Sequence, residues 1–189
     1  SDERIGYAQV YQRSSDGDEW ELEQTILGEA DRLGRSVSLS GDGKTLAIGA
    51  PRRWKSYDRP GYVKVYYKQL DCTWLLAETF TGESNGDSFG RSVSLSGDGK
   101  TLAIGAPYND GGNFSGSDSG HVRVYNLAGS EWQQLGQDID GEAAYDGSGW
   151  SVSLSADGTT IAIGADWNDG NNGDNSGHVR VYNLVGSEW

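Results

Sequence analysis

Alternating polar and apolar residues recur three times along the chain. The segment Ser-Val-Ser-Leu-Ser occupies 36–40, 92–96 and 151–155, and each copy leads through an Asp-Gly pair into an apolar segment ending in Ile-Gly-Ala. Period-two alternation on both sides of Asp-Gly predicts two strands joined by a tight hairpin, because both turn residues tolerate positive φ. The Ala and Gly residues of the second strand predict close packing against a neighbouring sheet.

Each copy continues into two further segments with strand character. In the third segment Val alternates with Lys or Arg, which predicts one packed and one partly solvated face; the copies are Gly61–Tyr66, Gly120–Tyr125 and Gly177–Tyr182. A fourth, less regular strand is marked by Trp20, Trp74, Trp132 and Trp189. Antiparallel units of four strands that recur every roughly 50 to 60 residues are typical of propeller blades.

The order of short motifs in the middle copy resembles that of a known repeat family. Phe89-Gly90, Gly105-Ala106-Pro107 and the strand Gly120–Tyr125 together resemble an FG-GAP repeat. The earlier copy has Leu33-Gly34 and Gly49-Ala50-Pro51, and the last has Gly149 and Gly164-Ala165-Asp166, so the resemblance covers essentially the whole chain. It implies the β-propeller found in integrin α-subunit heads, an extracellular or cell-surface location, and adhesion that is sometimes cation-dependent.

The chain is therefore expected to be an all-β protein made of about three and a fraction four-stranded blades. We assign 1–33 to the third and fourth strands of one blade, 34–89 and 90–148 to complete blades, and 149–189 to an incomplete blade. Closed propellers usually contain at least four blades. We therefore expect a segment of a longer array, with the assembly of several copies into one ring and an open stacked sheet as alternatives.

Charge and composition narrow the classes of partner. The 189 residues include 28 acidic and 15 basic side chains, giving a formal charge of −13. Such a chain repels nucleic acid and anionic membranes, so neither is expected as a partner. No apolar run is long enough to span a bilayer, and a single cysteine, Cys72, permits no internal disulfide.

The sequence predicts a protein that is not an enzyme. The two histidines, His121 and His178, share one repeat position that Tyr occupies in the other copies, which favours a structural role. The alternative is a hydrolase that depends on a carboxylate; the candidates are Asp138, Asp140, Glu142 and Asp146.

One loop is a candidate calcium site. The calcium loop of the FG-GAP family, between the first two strands, is replaced here by short turns such as Ser40–Lys44 with a single carboxylate. The loop after the second strand of the last copy instead offers oxygen ligands, which Ca²⁺ prefers, from Asp166, Asn168, Asp169 and Asp174. Ordinary Asx-turns are the alternative interpretation of the same residues.

Three other features bear on partners. A basic loop with aromatic residues is a candidate partner-binding segment; its residues are Arg52, Arg53, Trp54, Tyr57 and Arg59. Asn113 begins a glycosylation sequon, Asn113-Phe114-Ser115. The recurring pairs Gly28-Glu29, Gly82-Glu83 and Gly141-Glu142, followed by Asp31, Asp87 and Asp146, are expected to accept hydrogen bonds from the backbone of the next blade, with a cation site as the alternative.

Together these features predict a non-enzymatic extracellular module for binding, adhesion or structure. Its ligand would be a protein or a glycan bound by loops at the propeller rim, since a rigid ring presents variable loops at fixed spacing. A self-assembling repeat protein, in which homo-oligomers complete the propeller, is one alternative. A propeller that supports a hydrolase is the other.

Overall fold

A computed structural model describes residues 6–29, 32–51, 60–110, 117–169 and 176–189, and every regular element within these ranges is a β-strand. The strands are β1 (Tyr7–Arg13), β2 (Trp20–Leu27), β3 (Ser36–Leu39), β4 (Thr45–Ala50), β5 (Tyr62–Lys68), β6 (Trp74–Thr81), β7 (Ser92–Leu95), β8 (Thr101–Ala106), β9 (His121–Ala128), β10 (Glu131–Gln134), β11 (Ile139–Asp140), β12 (Ser151–Leu154), β13 (Thr160–Ala165) and β14 (His178–Asn183).

The strands form successive antiparallel sheets in chain order. The first sheet is β1-β2, the second β3-β4-β5-β6, the third β7-β8-β9-β10 with β11 also on β9, and the fourth β12-β13-β14. This arrangement confirms the all-β fold class and corresponds to part of a β-propeller. Within the described ranges the sheets do not close into a ring.

The fourth strand of the third sheet differs from the single strand that the sequence predicts. It is divided into β10 and β11, which pair with opposite ends of β9. Gly136, with a φ of 77°, lies between the two segments and turns the chain out of the ladder. The second sheet has only a register shift at the corresponding point, between Val65 and Tyr66.

The Asp-Gly hairpins are closed by the last serine of the alternating segment. Ser40 Oγ donates to Asp42 Oδ1 at 2.6 Å and accepts from the Thr45 amide at 2.9 Å, while Asp42 Oδ1 accepts from the Lys44 amide at 3.0 Å. The hydrogen bond from Ser40 holds the pKa of Asp42 below its ordinary value. The turns at Asp98 and Asp157 are built in the same way.

Apolar clusters fill the space between successive sheets. Each cluster joins the valines of a third strand to the second strand of the next sheet, as when Val63 and Val65 of β5 pack with Leu102 and Ile104 of β8. All four side chains are fully buried. Each buried aliphatic side chain contributes about 1.5–3 kcal/mol relative to its exposed state, so the sheets are held mainly by their neighbours.

The first two serines of the first and second alternating segments connect one sheet to the next. Between the second and third sheets, Ser36 Oγ donates to the Gly90 carbonyl at 2.8 Å, and Ser38 Oγ accepts from the Leu95 amide at 2.9 Å. The same two bonds recur between the third and fourth sheets, from Ser92 Oγ to the Gly149 carbonyl at 2.8 Å and from the Leu154 amide to Ser94 Oγ at 2.9 Å. We call each such set of contacts a serine seam.

The glycine of the Ile-Gly-Ala segment is required by the same seams. A Cβ atom on Gly49 would lie 2.2 Å from the Gly90 carbonyl oxygen, and one on Gly105 would lie 2.1 Å from that of Gly149. Both distances are shorter than any real contact, and the opposing atoms belong to the backbone. The close approach predicted from the small residues of the second strand is thus present at both seams.

Candidate functional site

Two kinds of loop meet at one edge of the third and fourth sheets. Tyr108 and Trp167 follow the second strands β8 and β13, whereas Arg91 and Trp150 precede the first strands β7 and β12. The antiparallel register pairs the beginning of a first strand with the end of a second strand. These side chains therefore lie at the same rim although they are far apart in sequence.

The three aromatic side chains form a contiguous group, which we call the rim cluster: Tyr108, Trp150 and Trp167. The ring centroids of Trp150 and Trp167 are 5.6 Å apart, and Tyr108 lies 6.0 Å from Trp150 and 5.9 Å from Trp167. Trp167 is 36% exposed, and the other two side chains are half-buried. Such pairs stabilise by about 0.5–1.5 kcal/mol beyond their buried area, which holds the rings in a fixed arrangement.

Arg91 extends this cluster with a positive charge. Its Cζ atom lies 4.0 Å from the ring centroid of Trp150, within the range of a cation–π contact. Burial lowers the pKa of Arg91, and the nearby charge of Arg35 lowers it further. Among the described residues, no carboxylate lies within ion-pair distance of Arg91.

The predicted calcium residues line two adjoining cavities that share the wall formed by residues 176–179. Asn168 and Asp169 line a cavity of about 540 Å³, whereas Asp166 lines another of about 410 Å³ beside Trp150. Burial raises the pKa of Asp166, and the charge of Arg91 opposes that rise. No group of three or more His, Cys, Asp or Glu side chains suited to a metal is found among the described residues, and Asp174 lies outside them. The calcium site stays a prediction.

Other predicted residues fall outside the described ranges. They are the candidate partner segment, Arg52, Arg53, Trp54, Tyr57 and Arg59, and the sequon residue Asn113. Both assignments stay predictions. The rim cluster itself was not anticipated from sequence, although Arg35, Arg91 and Trp150 occupy one repeat position, directly after the glycine that begins each copy.

The recurring glutamates form ion pairs between successive sheets. Glu29 pairs with Lys64 at 3.4 Å, Glu83 with Arg123, and Glu142 with Arg180. The partner is in each case the basic residue of the next third strand, rather than the backbone that the sequence interpretation expected. These pairs explain why a glutamate and a central Lys or Arg recur together.

The aspartates that follow the glutamates stabilise their own loops, and Asp87 also binds the loop after β8. Asp87 Oδ2 accepts from the Ser84 amide at 3.2 Å and from Asn109 Nδ2 at 2.8 Å. Asp146 Oδ2 accepts from the Ala143 amide at 2.9 Å. Burial nevertheless raises the pKa of Asp87, since its hydrogen bonds only partly replace water.

The surroundings of His121 favour a structural role. His121 is buried, its Nδ1 lies 3.8 Å from Asp138 Oδ2, and burial lowers its pKa, which favours the neutral ring. Arg123 binds Asp138 through two hydrogen bonds of 2.9 and 2.7 Å. Burial alone would raise the pKa of Asp138, but the bonds from Arg123 hold it below its ordinary value. Asp138 is therefore a fixed carboxylate rather than a ready proton donor.

Comparison with known families agrees with this geometry. A family profile for the FG-GAP repeat matches residues 81–125 and 139–182. The chain contains FG-GAP repeats. The resemblance noted in the sequence is thus confirmed, and proteins with these repeats are typically extracellular or at the cell surface and typically non-catalytic. The chain matches no curated protein sequence. Among the described residues, no helix has the length and apolarity needed to cross a membrane.

The signature residues of the FG-GAP repeat lie in the serine seams. Phe89 is fully buried between the second and third sheets, and Gly90, with a φ of 85°, supplies the carbonyl that Ser36 binds. Gly105 lies against the Gly149 carbonyl of the fourth sheet, and Ala106 belongs to the apolar cluster between the second and third sheets. The family signature in this chain therefore encodes sheet-to-sheet packing, and leaves the rim residues free to vary.

Proposed function

We propose that this FG-GAP repeat protein is a non-catalytic extracellular binding module that takes a protein or glycan ligand at its rim. The observation that carries the proposal is the rim cluster with Arg91 stacked on it. Trp, Tyr and Arg are the residues enriched at the energetic centres of interfaces. Here they come from two sheets and converge on one partly exposed surface.

The serine seams support this role by fixing the spacing of the loops. A binding surface assembled from several loops loses less entropy on binding when its parts are held in place beforehand. The seams recur with the same atoms between the second, third and fourth sheets. The rim is thus built on a stiff support.

The test is a binding screen with the chain against a glycan array and a panel of extracellular proteins. Replacing Trp167 by Ala should lower the affinity for any specific ligand by about tenfold or more, since central aromatic residues contribute about 2 kcal/mol or more to the binding free energy. Trp20→Ala is the matched control, because Trp20 is 68% exposed on the first sheet. A screen without a ligand, or a ligand insensitive to Trp167, would contradict the proposal.

A second candidate function, assembly of copies, is favoured by the two outer faces of the array. Val181 of β14 is 62% exposed, whereas its counterpart Val124 in the third sheet is 1% exposed. Leu39 of β3 is 55% exposed, whereas its counterpart Leu95 is 7% exposed. These apolar faces lie at the two ends of the array, so we propose that the end face of one copy packs against an end face of another.

Light scattering over a concentration series tests this assembly. The expected result is a mass that rises with concentration, and a return to the monomer mass in Val181→Lys, which places a charge in the proposed contact. Leu70→Lys is the control, because Leu70 is exposed and lies away from both faces. A wild-type mass that stays monomeric at every concentration would exclude assembly in trans.

A further inference from the structure

We infer that the rim cluster and Arg91 form a subsite for an acidic sugar, a pyranose ring that carries a carboxylate. The inference rests on the proposed binding function and specifies its ligand class. It joins two features that both contact Trp150, the partly exposed indole ring of Trp167 and the stacked guanidinium group of Arg91.

The aromatic part suits the face of a sugar ring. The C–H groups on one face of a pyranose are apolar and slightly positive, and they pack against the negative face of an aromatic ring. Trp167 offers a partly exposed indole whose centroid is only 5.6 Å from that of Trp150. Because the rings are held by mutual contacts, little side-chain entropy is lost on binding.

The charged part suits a carboxylate. A guanidinium group binds a carboxylate through two parallel hydrogen bonds, and stacking on an indole leaves its N–H edge available for them. Arg32 and Arg35 lie near enough for their charges to lower the pKa of Arg91. The charge of Asp166 acts on Arg91 in the opposite direction, but three arginines outnumber this one carboxylate. In a chain with a formal charge of −13, the local excess of positive charge favours an anion at this place.

The same arrangement disfavours a cationic ligand. One face of Trp150 is already covered by the guanidinium group of Arg91, so a second cation there would meet a like charge. Asp166, which lies beside the cluster, is suited to accept hydrogen bonds from sugar hydroxyls. A sugar with hydroxyls and one carboxylate therefore matches the site better than a basic peptide does.

The experiment compares methyl β-D-glucuronide with methyl β-D-glucoside, which differ only in the carboxylate. Their dissociation constants are measured by NMR titration of the chain. The glucuronide should bind about tenfold more tightly or better, as expected for a charge-assisted hydrogen-bonded pair. Arg91→Gln should abolish this preference for the glucuronide, and Trp167→Ala should weaken the binding of both sugars.

Two further variants separate binding from folding. Arg35→Gln alters an exposed side chain and should reduce the preference for the glucuronide without changing the thermal unfolding midpoint. Trp20→Ala should leave both sugars unaffected. Arg91→Lys keeps the charge but loses the planar fork, so it should recover only part of the preference.

Equal binding of the two sugars, or a preference that survives Arg91→Gln, would overturn the acidic-sugar inference. If a ligand from the screen still depends on Trp167 in that case, the proposed binding function stands and only its ligand class is wrong. Binding of a poly-glutamate peptide without any binding of the glucuronide would likewise overturn the inference in favour of an acidic protein partner.

Discussion

Replacing Ser38 by Ala removes one hydrogen bond of a serine seam without changing the strand pattern. Ser38 Oγ accepts from the Leu95 amide at 2.9 Å, and Leu95 is buried between the second and third sheets. The variant leaves that amide without a partner in a site that excludes most water. A buried donor left without a partner lowers the free energy of unfolding by about 1–3 kcal/mol. Because Ser38 is only partly buried, the expected loss is about 1–2 kcal/mol.

Ser153→Ala provides a matched control in the fourth sheet. Ser153 holds the same repeat position, but it is exposed, and among the described residues its side chain makes no hydrogen bond. Its replacement should change the free energy of unfolding by less than about 0.5 kcal/mol.

The assay is urea unfolding followed by tryptophan fluorescence, at a low protein concentration so that any assembly is minimal. Thermal unfolding should show a midpoint about 2–4 °C lower for each kcal/mol lost in a chain of 189 residues. Equal effects of the two variants, or no effect of Ser38→Ala, would refute the reasoning, because the seam would then contribute nothing specific.

Three further predictions concern the same scaffold. Gly105→Ala should lower the free energy of unfolding, measured with urea, by about 3 kcal/mol or more, because the new Cβ would lie 2.1 Å from a backbone oxygen. Gly164→Ala should lower it much less, because its Cβ would contact only a serine side chain of the same sheet. Glu83→Gln should lower the free energy of unfolding by about 0.5–1 kcal/mol, and by less at high salt. Glu142→Gln should lower it by a smaller amount, because the arginine partner of Glu142 is more exposed. Equal losses in the two variants would contradict this prediction. Ser96 and a backbone amide lower the pKa of Asp98, so its stabilisation is complete above the ordinary value of 3.8 and is lost as pH falls through the lower folded-state value. Asp98→Asn should therefore unfold with a shallower acid dependence below that pH, and an unchanged acid limb would count against the turn geometry.

The strands could be predicted because their signals are local. Alternation and Asp-Gly turns specify which segments pair and in what order, and the repeat of a roughly 50 to 60-residue unit specifies the architecture. The role of the serines could not be predicted in the same way. Ser36 and its acceptor, the Gly90 carbonyl, are 54 residues apart, and period-two alternation describes a solvated face equally well.

The rim cluster was missed for a different physical reason. Comparison of the copies emphasises positions that stay the same, whereas the cluster consists of positions that differ, with Arg91 in one copy and Trp150 in the next. Its geometry arises only when two loops from separate sheets are brought to one edge.

The most direct test of the account follows the indole N–H signals of the tryptophans by NMR while the tightest ligand of the screen is added. We predict that the signals of Trp150 and Trp167 shift with saturation. Those of Trp74 and Trp132, whose N–H groups are bonded to Glu23 and Tyr67 between the sheets, should stay in place. Saturable shifts confined to Trp74, Trp132 or Trp20, with the rim signals unmoved, would contradict the claim that this FG-GAP repeat protein binds its ligand at the rim.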